Sequence, residues 1–120
     1  MQSDKEKFKK EFINRLIQFS IRVIKFGDRE LSKYYSIKDQ LIRSTTSIGA
    51  NVVEAKSASS LRDYIKFFEI ALKSANETKY WLIIAGELST NKEEAKLLLK
   101  ETCEIANILA ASLLTLKGKK

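Results

Sequence analysis

Residues 40–55 read Gln40-Leu41-Ile42-Arg43-Ser44-Thr45-Thr46-Ser47-Ile48-Gly49-Ala50-Asn51-Val52-Val53-Glu54-Ala55. Wound on a helix at about 100° per residue, the stretch sorts into three strips. Ile37, Leu41, Ser44, Thr45, Ile48, Val52 and Ala55 make an apolar-to-small face fit for a core, and Ile42, Thr46, Gly49 and Val53 make a second, smaller one. Gln40, Arg43, Ser47, Asn51 and Glu54 stack at three- and four-residue steps into a column of hydrogen-bonding groups. A surface helix needs only one apolar face, so this pattern predicts a helix with neighbours on most sides. Ser44, Ser47, Gly49 and Ala50 would let a second backbone approach closely. Gly49 costs about 1 kcal/mol of helix propensity against Ala, which tight packing would offset.

The same periodicity extends in both directions. An N-terminal helix is predicted from Ser3 or Asp4 to Gly27, with Phe8, Phe12, Ile13, Leu16, Ile17, Phe19, Val23, Ile24 and Phe26 on its apolar arc. Gly27 is read as the residue that takes the left-handed conformation after a helix end. The loop Ser57-Ala58-Ser59-Ser60 closes the central helix at about Lys56. Ser60 with Asp63 then resembles a capping box opening a third helix over 61–88, and Thr90 with Glu93 another opening a fourth over about 91–117. With helices at about 4–26, 36–56, 61–88 and 91–117 and short connections, the expected fold is one all-α domain over residues 1–120, an antiparallel up-down-up-down four-helix bundle.

Composition narrows the chemistry. The chain has 120 residues, no histidine, no proline and one cysteine, Cys103. Without histidine the usual general base, proton shuttle and metal ligand are missing, and the Glu-x-x-His pairs of a di-iron bundle cannot form. No glycine loop that would cradle a phosphate occurs. The expectation is therefore no enzyme, no cofactor, no metal and no small-molecule substrate. No apolar run approaches 18 residues, so no membrane partner is expected. A lone cysteine and the absence of a signal-peptide pattern suit the cytoplasm.

A net charge of +7 permits a polyanionic partner without demanding one. Residues 1–30 carry eight basic and five acidic side chains. Lys7, Arg15, Arg22 and Lys25 fall on one helical stripe with a single acid, Glu11, in line. A solvated helix face and a phosphate-tracking surface both fit this stripe, and Arg43 is a further candidate phosphate contact. The column Gln40, Arg43, Ser47, Asn51 and Glu54, with Glu77 as a partner for Arg43, reads either as a ladder fixing helix register or as a ligand contact. Extra apolar strips, Ile42 with Val53, Ile70 with Trp81 and Leu97 with Ile108, are either scattered surface hydrophobes or an interface between copies. The tail Lys117-Gly118-Lys119-Lys120 would add to a basic surface.

The stretch from Arg43 to Ala55 resembles the signature of the small four-helix-bundle proteins encoded by intervening sequences within bacterial 23S rRNA genes. Ser60-x-x-Asp63-Tyr64-Ile65, Ile70-Ala71-Leu72-Lys73-Ser74-Ala75 and Glu77-Thr78-x-Tyr80-Trp81-Leu82 resemble that family's third helix. The chain is also similar to the accessory proteins of diversity-generating retroelements, basic bundles that work with reverse transcriptase and RNA. The resemblance implies a homo-oligomer, a five-fold ring, without catalysis. Its pattern covers Arg43, Asn51, Glu54, Asp63 and Glu77. Together these readings lead to an RNA-binding accessory protein, with a protein-interaction scaffold as the alternative.

Overall fold

A computed structural model describes residues 3–118. It contains four α-helices, α1 (Asp4–Glu30), α2 (Tyr35–Ala55), α3 (Leu61–Leu88) and α4 (Lys92–Lys117), and no strand among the described residues. Each start that has a side-chain cap is explained by its first residues. Ser3 accepts from the Glu6 amide, Ser60 from the Asp63 amide and Asn91 from the Glu94 amide. Such caps satisfy amides that the helix leaves without partners and contribute roughly 1 kcal/mol each.

Two predicted boundaries are corrected. The helix α1 does not stop at Gly27 but runs on to Glu30, and Gly27 lies buried inside it without a positive φ. A Cβ there would sit at ordinary contact distance from α2, 3.4 Å from Lys38 Cγ and 3.6 Å from Ile42 Cδ1, so Gly27 marks where the two helices lie side by side. The helix α4 is capped by Asn91 rather than Thr90, because Thr90 is engaged elsewhere. Its amide and its hydroxyl both donate to Glu30 Oε1, at 2.9 and 2.8 Å.

The core draws on all four helices. Phe12, Leu16, Phe19, Val23 and Phe26 of α1 meet Leu41, Ile48 and Val52 of α2, Phe68 and Leu82 of α3, and Leu98, Ile105 and Leu109 of α4. Each such side chain contributes about 1.5–3 kcal/mol by leaving water. Of the two apolar faces expected on α2, the larger packs into the core, while of the smaller one Ile42 and Gly49 meet α1 and Thr46 and Val53 are exposed. Gly49 meets α1, where a Cβ would lie 3.4 Å from Leu16 Cβ. Ser44 and Ser47 meet α3: Thr78 donates to Ser44 at 3.0 Å and Ser74 donates to Ser47 at 3.0 Å. The outer side of α2 stays open, since Gln40, Arg43, Thr46, Ala50, Val53 and Glu54 are exposed. Enclosure on most sides, expected from the sequence, is therefore not met within one chain.

The helix α1 leans on α2 and makes far fewer contacts with α4. Where it does reach across, polar groups hold it. Glu30 Oε1 accepts from the Ser89 hydroxyl at 2.8 Å, from both Thr90 donors, and from the Asn91 amide at 3.1 Å. One carboxylate thus organises the whole α3–α4 turn. These donors favour its charged form and hold its pKa down to about 2, against an ordinary value of 4.5.

These buried and paired groups give three tests of stability. Thr45 is 1% exposed and its Oγ1 has no hydrogen-bond partner, so Thr45→Val should stabilise the protein by about 1 kcal/mol. Thr78→Val removes a hydroxyl bridging α3 to Ser44 and should cost about as much; urea midpoints read both. For Glu30 the folded pKa lies below the unfolded one, so its contribution is complete above about pH 4.5 and fades as the pH falls toward 2. The stability gap between the native chain and Glu30→Gln should close over that window. A gap unchanged from pH 7 to the acid limit would show that the carboxylate charge does not hold the turn.

Candidate nucleic-acid interface

On the outward side of α1, Lys7, Lys10, Asn14, Gln18, Arg22 and Lys25 are exposed along the helix. From Lys7 to Lys25 the helical rise gives a row about 27 Å long. Lys7 and Lys25 enter no ion pair among the described residues. Arg22 sits within range of Glu101, whose pKa it helps to lower.

Arg15 behaves differently from the other members of the predicted stripe. Its guanidinium turns to α4, where Nε and Nη2 grip the two oxygens of Glu101, each at 2.7 Å, and Nη2 also reaches Glu104 at 2.8 Å. The bidentate Glu101 contact, opposed by desolvation, raises the Arg15 pKa, and the same contact lowers that of Glu101. The charge of Arg15 is balanced within the molecule, and its work is to tie α1 to α4. Arg29 does the same one end along, pairing with Glu94.

The polar column divides. Ser47 and Asn51 form a half-buried unit in which Asn51 Nδ2 donates to the Ser47 carbonyl at 2.8 Å and to Ser47 Oγ at 3.1 Å. Ser74 joins it from α3, so this part holds helices together. Gln40 and Glu54 are exposed. Arg43 is exposed too and pairs with Asp39 one turn earlier at 3.2 Å, not with Glu77. Glu77 accepts instead from the Trp81 indole at 3.0 Å. Of the six apolar strip residues, Trp81 and Ile108 pack against the core and Ile42 packs beside Gly27. Val53, Ile70 and Leu97 remain exposed. Among the described residues no His, Cys, Asp and Glu group is placed to hold a metal, and no helix is long and apolar enough to cross a membrane. Lys119 and Lys120 of the basic tail lie outside the described residues.

A family model described as 23S rRNA-intervening sequence protein matches residues 9–111. The chain belongs to that family. Its matched span includes the α2 signature and the α3 motifs, and the helices that carry them form the hydroxyl seam. Among solved structures, the chain is similar to a protein with unknown function from the S23 ribosomal protein family of Bacteroides thetaiotaomicron. The two are 34% identical, the match covers 85% of this chain and 97% of that one, and the TM-score is 0.77. A search of curated proteins finds no match. Nothing in these likenesses assigns a role to a residue of this family member, so the site rests on its own geometry.

The contrast between Arg15 and Arg22 gives a stability test. Arg15→Ala leaves Glu101 and Glu104 without their shared cation and should cost about 1–3 kcal/mol. Arg22→Ala should stay within about 0.5 kcal/mol of the native chain, since it removes only an exposed charge. Equal costs in chemical denaturation would contradict this division.

Proposed function

We propose that this chain is a non-enzymatic RNA-binding accessory protein associated with 23S rRNA intervening sequences, working in the cytoplasm as a homo-oligomer. The observation that carries the proposal is the exposed row of Lys7, Arg22 and Lys25 on α1, in a chain of net charge +7. Cations held on a rigid helix and not neutralised by neighbours release counterions from phosphates on binding. Arg15 enters as the strut that fixes the row against α4, and Arg43 as an exposed cation on α2 whose partner Asp39 lies on the same helix. RNA rather than DNA is favoured by the family's description, which places it in an rRNA setting.

The proposed architecture is an antiparallel up-down-up-down bundle. Its support is the pairing of neighbours: Leu16 lies near Gly49 and Ile42 near Gly27, while Ser47 meets Ser74 and Ser44 meets Thr78. In each pair of helices the rising number on one matches the falling number on the other. Assembly into a ring, a pentamer in the family-based reading, is supported by the exposed Val53, Ile70 and Leu97. Repeating the α1 row by symmetry would sum its field. These same apolar residues favour the second reading, a protein-interaction scaffold without a nucleic-acid role.

Anisotropy of a labelled RNA across salt concentrations, with light scattering in parallel, separates the readings. Affinity should fall steeply with salt, by roughly 0.7–0.9 in log–log slope per phosphate contact. The double variant Lys7→Glu with Lys25→Glu should weaken binding at least tenfold and leave oligomer mass unchanged. Absence of RNA binding at low salt, with assembly intact, would leave the scaffold reading standing.

A further inference from the structure

The row on α1 is not the molecule's most distinctive concave surface. At one end, between the first turns of α1, the α2–α3 connection and the last turns of α4, a cleft of about 550 Å³ opens. That volume falls within the roughly 300–1,000 Å³ of small-ligand sites. Two aromatic pairs line it. Phe8 and Phe12 of α1 stack at 6.2 Å with their planes 14° apart, and Tyr64 and Phe68 of α3 stack at 5.0 Å and 19°. Phe8 is 53% exposed, an unusual position for a phenylalanine on a helix whose other core-facing rings are buried.

The charge at this cleft has one sign. Lys9 holds its ammonium 5.3 Å above the centre of the Tyr64 ring, and Lys56 at the end of α2 also lines the opening. No aspartate or glutamate lines it among the described residues. The hydroxyls of Ser112 and Thr115 add hydrogen-bonding groups to the walls, while that of Ser59 donates to Asp63 at 2.9 Å. The half-exposed Phe8 ring, with Phe12 behind it, presents one open face, and with the cations and hydroxyls it matches an occupant that is planar, anionic and capable of hydrogen bonds. An aliphatic acid would use the cations but has no need of an open ring face. A nucleotide uses all three.

We propose that this cleft receives an unpaired nucleobase of single-stranded RNA, which stacks on the open face of Phe8 while flanking phosphates meet Lys9 and Lys56. The proposal rests on the RNA-binding reading above and deepens it. The α1 row would supply sequence-independent attraction to any phosphate backbone, and the cleft would select strands whose bases are free. Duplex RNA keeps its bases stacked inside and would engage the row alone.

The test uses the full chain with an oligoadenylate single strand carrying a fluorescent adenine analogue, and an RNA duplex of equal charge. Phe8→Ala is chosen because the ring is half in solvent and its loss does not open the core. It should weaken single-strand binding roughly tenfold, restore the analogue's fluorescence and leave duplex binding and the salt slope unchanged. Lys56→Ala, also at an exposed position, should reduce the single-strand salt slope by about 0.7. Native-like single-strand binding by Phe8→Ala, while the Lys7 and Lys25 charge reversals weaken both ligands, would overturn the cleft reading and leave the RNA-binding one intact. Failure of the native chain to bind either RNA would overturn both. A fluorescent fatty acid that fills the cleft and is not displaced by oligoadenylate would overturn the proposal in favour of an amphipathic acid.

Discussion

The fold depends on how closely α2 can approach α3. Where these helices face each other, Ser44, Ser47, Ser74 and Thr78 stand in place of larger apolar side chains, and their hydroxyls find one another across the gap. A buried hydroxyl without a partner costs about 1–3 kcal/mol, so a seam of this kind holds only in the register that pairs them. Thr102 solves the same problem alone, donating to the Leu98 carbonyl of its own helix at 2.7 Å. The larger side chains then fill the remaining space on either side. Because α2 is drawn against α3 by small groups, another side of it is free to receive α1, with Gly27 and Gly49 lying where the two helices meet.

The attachment of α1 sorts the basic residues into two kinds of work. Toward α4 the backbone of α1 stands farther off, and ion pairs add to the shared core: Arg15 with Glu101 and Glu104, Arg29 with Glu94. Half-exposed pairs of this kind contribute modestly, and more when the geometry is bidentate as it is at Arg15. The cations on the outer side have no such partners on α4 and face water. A single sequence stripe therefore serves both cohesion and the outward field, one arginine apart from its neighbours by a rotation of the helix. At the far end the aromatic cleft opens between α1 and α3.

Helix number and most boundaries were legible in the sequence because capping chemistry and apolar spacing are local. Ser3 and Ser60 cap where their side-chain spacing says they should. Gly27 gives no sign of the true end of α1, because a glycine after a helix and a glycine inside one look alike in sequence, and the helix runs on to Glu30. Thr90 was misread for a related reason, since its hydroxyl answers a glutamate 60 residues away. Arg15 carries the sharpest lesson of this sort. Its position on the stripe is as regular as that of Arg22, and only its hydrogen bonds to Glu101 and Glu104 distinguish the guanidinium that ties two helices from one that acts on Glu101 at a distance. Phe8 falls on the apolar arc, but the arc extends past the end of the packed region and leaves the ring at a cleft wall. Clefts arise from where helices end relative to one another, which periodicity does not encode.

The contact between Glu30 and the segment Ser89–Asn91 sets an order of events during synthesis. A ribosome-held chain releases roughly 5–20 residues each second, so α1 and α2 can pair while the partner turn is still unmade. Until Thr90 emerges, the Glu30 carboxylate has only water for its donors, and the last turn of α1 lacks its fastening. This contact joins the end of the first helix to the turn that precedes the last, so the nascent molecule lacks it until Ser89–Asn91 is outside. Hydrogen exchange on stalled chains would read this as late protection around Leu31 and Tyr34, in a protein otherwise assembled from sequential neighbours.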